Sequence, residues 1–388
     1  MLSSDAKNYD TALAELTKAA QNDGTNGMYF YELAKIQYRL KKYSDARSSF
    51  ETSTKLLPSF DSGYYNLGMT LKALNRNEEA ITAFRRTKEL NPNHLNSYLQ
   101  LGSLLSAKRD YNGAIEAYQG ALKIDSNNGA ALRSLGSVYA AKQMYSQAED
   151  CYRKALTFSS DDDATNYNLS NVLFNQGKFE EALPYAKKAA EKKPSDAVYQ
   201  YNYGLVAEAC ADVDSAIISY STALKINPKH LKANINLGKI YLDSGEADSA
   251  LMFLQTAVAV DPKSFEAVNN LACAWLAKKE YDKAIENFKS ALSIDSANQL
   301  AKTNLANAYA SAGQYDLAKQ VYTEILQKDS KNKDAYIELA KVCMALKNNT
   351  LAEGYLIKLQ SIDAQYRALE VKALLANIES VTGSDNSR

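Results

Sequence analysis

The stretch "YYNLGMTLKAL", residues 64–74, carries the pattern that decides the fold. Leu67, Leu71 and Leu74 recur at helical spacing, yet Gly68 lies among them. A glycine inside a helix costs roughly 1 kcal/mol relative to alanine. We therefore expect Gly68 to allow a close approach between two helices that a side chain would prevent.

Gly68 belongs to a series of small residues that recurs every 34 positions. Ten positions in this register carry only Gly, Ala or Ser, namely Ala34, Gly68, Gly102, Gly136, Ser170, Gly204, Gly238, Ala272, Ala306 and Ala340. A second series contains alanine alone, at Ala12, Ala46, Ala80, Ala114, Ala148, Ala182, Ala216, Ala250, Ala284, Ala318 and Ala352. A fixed period of this size indicates a solenoid of stacked repeats.

Each repeat reads as two helices joined by a short polar turn. In residues 268–296 one apolar stripe contains Val268, Leu271 and Trp275, and a second contains Ala284, Ile285, Phe288, Ala291 and Leu292. Gly177, Gly245 and Gly313 occupy the turn in other repeats, which predicts a left-handed backbone there. We expect the small residue of the first helix to face the alanine of the second helix.

These features resemble the tetratricopeptide repeat (TPR), whose signature is W-x2-L-G-x2-Y, then A-x3-F, then P. One repeat carries it as Leu132, Leu135, Gly136 and Tyr139, then Ala148, Tyr152 and Ala155. The resemblance covers roughly residues 9–380. It implies an all-α fold, a right-handed superhelical solenoid of antiparallel helix hairpins.

The register divides the chain into four segments. Residues 1–26 are predicted to be an N-terminal half repeat with only the second helix, and residues 27–366 to be ten TPR units of 34 residues. Residues 367–380 are predicted to form a C-terminal capping helix, and residues 381–388 a disordered tail. The half repeat indicates either a chain trimmed from a longer one or an end that pairs with another molecule.

Composition excludes several classes of protein. Lys+Arg and Asp+Glu each total 45, so the zero net charge argues against a nucleic-acid binder or an electrostatically held membrane protein. No apolar run is long enough to span a membrane, and no leader peptide is visible at the N-terminus. Four isolated cysteines favour a reducing compartment such as the cytoplasm. A periplasmic or membrane-anchored location, with the leader removed, stays open.

The sequence has no motif of a known catalytic site. It lacks a P-loop, a GxSxG motif and an HExxH motif. The only histidines, His94 and His230, fall at the same position of inter-repeat turns, and we interpret them as solvent-exposed turn residues. We therefore predict a protein that is not an enzyme, with no catalytic residues, no metal and no cofactor.

Binding is the better prospect, because the resemblance implies that the first helices line a concave face. The sixth position of the repeats reads Glu32, Asn66, Gln100, Ser134, Asn168, Asn202, Asn236, Asn270, Asn304 and Glu338. An Asn amide offers both a donor and an acceptor, so this column could pair with the backbone of an extended peptide. The column is similar to the asparagine ladders of several peptide-binding TPR proteins. The alternative is that these amides are solvated or bond a neighbouring turn.

Tyrosines at the fifth position, at Tyr31, Tyr65, Tyr167 and Tyr201, add rigid contact area. The repeats that begin at residues 163 and 197, the sixth and seventh units when the half repeat is counted, concentrate these features. They depart from the family pattern at Ser170, Pro184, Ala186 and Tyr203, so we predict the binding centre there. The predicted binding residues are Tyr65, Asn66, Tyr167, Asn168, Asn171, Phe174, Asn175, Tyr201, Asn202, Asn236, Asn270 and Asn304. Lys35, Arg39 and Lys72 form either a second inner patch or a solvated face.

The predicted function is a non-catalytic protein-interaction scaffold that binds an extended peptide or a partner protein on its concave face. One alternative is a structural subunit that self-associates, for instance as a homodimer through residues 1–40. Another is an accessory TPR region of a longer enzyme or lipoprotein. The sequence does not identify the partner.

Overall fold

The computed structural model describes residues 2–385, with side chains described for residues 9–380. Within these residues the chain forms twenty-two α-helices and no β-strand. It divides into two compact units, Met1–Lys192 and Lys193–Arg388, which we call the N-terminal and C-terminal units.

Ten helix pairs, numbered here as repeats 1 to 10, lie between α1 (Leu2–Asn22) and α22 (Ala368–Asp385). Their first helices are α2 (Gly27–Arg39), α4 (Asp61–Ala73), α6 (Leu95–Ala107), α8 (Gly129–Ala141), α10 (Asp163–Asn175), α12 (Ala197–Ala209), α14 (Leu231–Asp243), α16 (Phe265–Ala277), α18 (Gln299–Ser311) and α20 (Lys333–Ala345). Their second helices are α3 (Tyr43–Leu56), α5 (Asn77–Leu90), α7 (Tyr111–Ile124), α9 (Tyr145–Phe158), α11 (Phe179–Lys192), α13 (Val213–Ile226), α15 (Ala247–Val260), α17 (Tyr281–Ile294), α19 (Tyr315–Lys328) and α21 (Asn349–Ile362). The N-terminal unit contains α1–α11 and the C-terminal unit α12–α22.

Packing within each unit follows the order of the chain. The two helices of every repeat contact each other, and each second helix also packs against the first helix that follows it within the same unit. First helices of consecutive repeats also touch directly, for example α6 with α8, and α14 with α16 and α16 with α18. The prediction of an all-α solenoid of antiparallel helix hairpins is confirmed. We call the surface formed by the first helices of a unit its first-helix face.

The small residues of the first helices receive large side chains from the second helices. A Cβ atom added to Gly68 would lie 2.7 Å from Cε1 of Phe84, too close for any real contact. Gly102, Gly136 and Gly204 meet Tyr118, Tyr152 and Tyr220 in the same way, and Gly238 meets Leu254. The expectation that the small residue faces the alanine is therefore corrected, because the side chain nearest to it is the one four residues later.

The alanine series is the second half of this contact. From Ala46 to Ala352 all ten alanines have no exposed surface, and Ala12 of α1 is half-buried. Residues four apart share one helix face, so the ring follows the alanine on the buried side. This side chain is long enough to reach the space above the glycine of the first helix. The glycine and the alanine therefore both recur every 34 residues.

Repeat 5 departs from the pattern in a compensated way. Ala186 replaces the aromatic ring and is fully buried, while Ser170 replaces the glycine. The Ser170 hydroxyl is buried and donates to the Tyr167 carbonyl oxygen at 2.7 Å. Helix α11 continues through Pro184. These substitutions exchange volume between two facing positions, which gives them a packing explanation that needs no ligand.

Every hairpin turn contains one residue in the left-handed region of backbone space. Its φ lies between +58° and +80° at Lys41, Asn75, Arg109, Gln143, Gly177, Ala211, Gly245, Lys279, Gly313 and Lys347. Glycine adopts this conformation without a steric penalty, whereas other residues pay about 1 kcal/mol or more. The left-handed prediction for Gly177, Gly245 and Gly313 is confirmed, and it extends to seven turns without glycine.

The last helix is longer than expected. Helix α22 runs to Asp385, so it includes residues 381–385 of the segment predicted to be a disordered tail. Helical hydrogen bonding continues there because no proline or inserted turn interrupts "VTGSD". The remaining predicted tail, residues 386–388, lies outside the described residues, as does residue 1.

Candidate functional site

The predicted binding residues lie on first helices in both units. Those on α4 and α10 belong to the N-terminal unit, and those on α12, α14, α16 and α18 to the C-terminal unit. The predicted centre in repeats 5 and 6 therefore falls on two separate units. Asn236, Asn270 and Asn304 lie on three consecutive first helices, α14, α16 and α18, each of which contacts the next.

The predicted tyrosines are packed into the repeat junctions. The Tyr65 ring lies 5.7 Å from the Phe84 ring and 4.6 Å from the His94 ring, centroid to centroid. The Tyr201 ring makes equivalent contacts with Tyr220 at 5.6 Å and His230 at 4.8 Å. Burial raises the pKa of Tyr201 to about 12. These rings already have partners within the protein.

Asn66 bridges two repeats through its amide nitrogen. Nδ2 donates to the Tyr31 hydroxyl of repeat 1 at 2.9 Å and to the Ser62 carbonyl oxygen at 3.0 Å. The carbonyl can only accept, so the orientation of the amide is determined chemically. No described residue donates to Asn66 Oδ1, which leaves this oxygen as the available group.

Asn236 and Asn304 repeat this arrangement in the C-terminal unit. Asn236 Nδ2 donates to the Tyr220 hydroxyl at 2.9 Å and lies 3.4 Å from Glu208 Oε2, both in repeat 6. Asn304 Nδ2 donates to Cys273 Sγ of repeat 8 at 3.7 Å. As with Asn66, neither Oδ1 receives a hydrogen bond from the residues that the structure describes.

Asn270 is oriented the other way. Its Oδ1 accepts a hydrogen bond from Asn269 Nδ2 at 3.4 Å, so its own Nδ2 is the group left for a ligand. Asn269 is 6% exposed, and its Oδ1 is buried without a hydrogen-bond partner among the described residues. Sequence reasoning missed Asn269, although an Asn at a position that carries Tyr, Leu or Ile in seven of the ten repeats was a usable signal.

Several of the remaining predicted binding residues already contact other residues of the protein. Asn171 Nδ2 donates to the Tyr167 carbonyl oxygen at 3.1 Å, and Asn175 Nδ2 donates to the Asn171 carbonyl oxygen at 2.7 Å. The Phe174 ring packs against Phe179 with centroids 5.1 Å apart. Asn168 is half-buried, and Asn202 is only 3% exposed.

The basic residues near the start each have an internal partner. Lys35 Nζ lies 2.9 Å from Glu32, and Lys72 donates to Gln100 Oε1 at 2.7 Å. Arg39 donates to the Tyr9 hydroxyl at 3.0 Å. Their donors are therefore shared with neighbouring residues.

The histidines are structural residues rather than exposed turn residues. His94 and His230 are half-buried, and each caps a first helix by accepting a backbone N–H through Nδ1. Sequence reasoning missed this role because histidine is not among the preferred capping residues.

A second surface lies on the second helices of the C-terminal unit. Ile218 and Met252, at the same position of repeats 6 and 7, are 66% and 58% exposed. Beside Met252 is an open groove of about 730 Å³ whose lining includes Leu251 and Trp275. The corresponding positions of repeats 8 and 9 carry Glu286 and Gln320.

Across the described part of the chain, no three His, Cys, Asp or Glu side chains come together as metal ligands. No helix within residues 2–385 combines the length and the apolar character needed to cross a bilayer.

Comparison with known proteins agrees with the repeat architecture. Three family models, each described as "Tetratricopeptide repeat", match residues 62–94, residues 99–163 and 167–230, and residues 211–272, 276–322 and 309–378. The chain matches no curated protein.

Several solved structures are similar to the chain. The C-terminal part of a TPR repeat-containing protein from Cytophaga hutchinsonii is 16% identical with a TM-score of 0.51, covering 61% of this chain and 97% of that one. YrrB, described as a TPR protein with an unusual peptide-binding site, is 28% identical with a TM-score of 0.45, covering 48% and 96%. The Cut9–Hcn1 hetero-tetramer is 15% identical with a TM-score of 0.47, covering 96% and 93%. Because hairpins of 34 residues fill the chain and the family models match most of its length, this protein belongs to the tetratricopeptide repeat family.

Proposed function

We propose that this TPR protein is a non-catalytic interaction scaffold whose first-helix face holds an extended segment of a partner protein. The observation that carries the proposal is the run of half-buried amides at Asn236, Asn270 and Asn304, on the contacting helices α14, α16 and α18. Amides at the same position of three stacked repeats can bond a main chain whatever its side chains are.

The amides differ in the group they offer. Asn236 and Asn304 have donated Nδ2 within the protein, so each offers an oxygen to an N–H of the partner. The Asn270 oxygen already accepts a hydrogen bond from Asn269, so Asn270 offers an N–H to a carbonyl of the partner. The proposed segment therefore bonds through N–H, C=O and N–H at successive repeats.

Spacing favours a polyproline-type conformation for that segment. Packed helices lie about 8–10 Å apart. A polyproline II chain advances about 9 Å in each turn of three residues. Every third residue of such a segment would then meet the next asparagine, so the two N–H groups would lie about six residues apart.

The N-terminal unit fits this role less well. Among its sixth positions only Asn66 and Asn168 are asparagines, and they lie in repeats 2 and 5, which are not consecutive. Gln100 and Ser134 also interrupt the asparagine column between repeats 2 and 5. We therefore assign the segment to the C-terminal unit rather than to repeats 5 and 6.

Capture of partners from native lysate tests the proposal. The full chain is compared with the triple variant Asn236→Ala, Asn270→Ala and Asn304→Ala. The matched control changes three exposed side chains on the second helices of the same repeats, Gln255→Ala, Glu286→Ala and Gln320→Ala. The proposal expects the asparagine variant, while folded by circular dichroism, to lose partners that the control keeps. Identical partner sets for all three proteins would contradict it.

A structural subunit that self-associates is the second candidate. The exposed Ile218 and Met252 side chains, and the open groove beside Met252, favour it, because exposed apolar patches mark contact surfaces. Sedimentation over a range of concentrations tests it with the double variant Ile218→Lys and Met252→Lys. A dimer that the variant abolishes supports this candidate, whereas a wild-type monomer at all concentrations opposes it. A dimer that persists in the variant points instead to the predicted contact through residues 1–40.

A further inference from the structure

The chain's two histidines occupy the same structural position in different repeats. His94 is the N-cap of α6 and His230 is the N-cap of α14. Nδ1 of His94 accepts the Ser97 backbone N–H at 3.2 Å, and Nδ1 of His230 accepts the Ala233 backbone N–H at 3.2 Å. Each bond satisfies one of the backbone donors that a helix N-terminus leaves unpaired.

Each cap also joins two repeats. The His94 ring lies 4.6 Å from the ring of Tyr65 in repeat 2, and the His230 ring lies 4.8 Å from the ring of Tyr201 in repeat 6. The junction between repeats 2 and 3 lies in the N-terminal unit, and the junction between repeats 6 and 7 in the C-terminal unit. Each imidazole therefore holds a helix end and an inter-repeat ring contact at once.

The cap requires a neutral imidazole with its proton on Nε2. Protonation of Nδ1 turns the acceptor into a donor, so the cap is lost. It also puts a positive charge at the positive end of the helix dipole, which is unfavourable. Seven other first helices are capped by side chains that keep an acceptor between pH 5 and 8, namely Asn26, Asn128, Asp162, Asp196, Ser264, Asn298 and Asn332.

The charged neighbours of the two histidines differ. The Asp61 carboxylate of α4 interacts electrostatically with His94 and can act as its counter-charge, and Tyr65 of α4 covers the ring. His230 has Lys232 on its own helix and the Tyr201 ring of α12 against it, with Tyr220, Glu208 and Glu266 around that tyrosine. Burial lowers the pKa of His230 below its usual value; a hydrogen bond to its own backbone opposes this effect, and repulsion from Lys232 adds to it. The His230 junction is thus the one without a near counter-charge.

We propose that protonation of the two imidazoles in mild acid uncaps α6 and α14 and selectively loosens the N-terminal ends of these two helices. The seven first helices capped by Asn, Asp or Ser keep their caps between pH 5 and 8. The device does not depend on the proposed function, although Tyr65 and Tyr201 lie on the first-helix faces, so loosening would reach any segment bound there.

Hydrogen exchange on the full chain tests this device. Wild type is compared at pH 7.5 and pH 5.0, corrected for intrinsic rates, with His94→Asn, His230→Asn and the double variant. Asparagine is the matched replacement, because it already caps this position in four other repeats. In wild type, peptides covering residues 94–100 and 230–236 should lose protection about tenfold at the lower pH. Each variant should remove the loss at its own junction alone. Equal loss in wild type and the double variant, or no loss in wild type, would overturn the proposal.

A second readout examines the tautomer directly. Nitrogen NMR of the two imidazoles at pH 7.5 should show the proton on Nε2 in both. A dominant Nδ1–H tautomer at either residue would remove the cap on which the inference rests.

Discussion

The Asn236 amide donates to the Tyr220 hydroxyl at 2.9 Å, and that hydroxyl donates to Glu208 at 2.7 Å. This chain of hydrogen bonds joins α14 of repeat 7 to both helices of repeat 6. The recurring asparagine position thus serves two purposes at Asn236, since the nitrogen joins repeats and the oxygen stays available on the first-helix face. Burial and the hydrogen bond to Glu208 outweigh the opposing hydrogen bond from Asn236 and raise the pKa of Tyr220, which therefore stays protonated and able to donate.

Replacing the Asn236 amide with a carboxylate tests whether its nitrogen joins the repeats while its oxygen stays available. Asn236→Asp should lower the free energy of unfolding by roughly 1–3 kcal/mol, because it removes the donor and places a negative charge beside Glu208. Asn270→Asp keeps the oxygen that accepts from Asn269, so its effect should stay below about 1 kcal/mol. Urea unfolding of both variants at pH 7 measures the difference. Equal losses would show that the two amides are not oriented differently.

The ring above Gly68 gives a prediction on packing. Gly68→Leu should destabilise the protein by roughly 1–3 kcal/mol, because even a Cβ atom would collide with Phe84. Gly354 is the matched control, since it lies inside α21 with nothing within 4 Å of an added Cβ. Gly354→Leu should stabilise by up to about 1 kcal/mol through helix propensity. Thermal unfolding of both variants and of wild type measures these changes in stability. A Gly68→Leu variant as stable as wild type would contradict the close packing of Phe84 on Gly68.

Much of this fold could be predicted from sequence because its main constraint is steric and periodic. The two series that contain Gly68 and Ala80 predicted where two helices approach closely. The glycines in the hairpin turns predicted a left-handed backbone. The prediction that Gly68 faces an alanine was wrong. Spacing along the chain does not show which side chain of the opposite helix fills the space above a glycine. Phe84 fills the gap above Gly68, and Leu254 fills the equivalent gap above Gly238.

The candidate site was harder to predict, because the state of an amide depends on its neighbours. Asn270 and Asn236 occupy the same repeat position, yet one offers a nitrogen and the other an oxygen. The histidine caps were missed for the same reason, because the acceptor role of Nδ1 exists only once a backbone N–H is aimed at it. The predicted centre at Tyr167 to Asn202 also fell across two compact units, which periodicity alone did not reveal.

The hairpin turns give a prediction on backbone strain. Ala211 and Gly177 occupy the same turn position, with φ of 58° and 74°. Ala211→Gly should stabilise the protein by roughly 0.5–1 kcal/mol, and Gly177→Ala should destabilise it by a similar amount. Nothing lies within 4 Å of a Cβ added to Gly177, so contacts do not obscure the comparison. Denaturant midpoints at constant m-value check it, and shifts of the same sign would refute the assignment of strain.

An ionic cluster between repeats 4 and 5 predicts acid sensitivity. Burial opposes ionisation of Glu149, but hydrogen bonds from Lys178, Arg153 and Gln176 outweigh it and lower its pKa to about 2. The side chain is 12% exposed, and the three donors lie 2.7–2.9 Å from its oxygens. Because the folded pKa is below the ordinary value of 4.5, this stabilisation is complete above pH 4.5 and is lost as the pH falls towards 2.

Glu149→Gln isolates that contribution. At pH 7 the variant should be less stable than wild type by about 2–3 kcal/mol, and the difference should shrink between pH 4.5 and pH 2. Urea unfolding at a series of pH values measures it. A difference independent of pH would mean that the loss comes from packing rather than from charge.

The most direct test of the proposed binding mode uses the partner's own main chain. A peptide selected on the full chain from a random twelve-residue library is resynthesised with each backbone amide N-methylated in turn. If Asn236 and Asn304 accept N–H groups, binding should fall about tenfold or more at two amides about six residues apart. Both losses should disappear in the Asn236→Ala and Asn304→Ala variant, whose starting affinity is already lower. A scan in which every N-methyl peptide binds as well as the parent would contradict main-chain recognition by the asparagine oxygens.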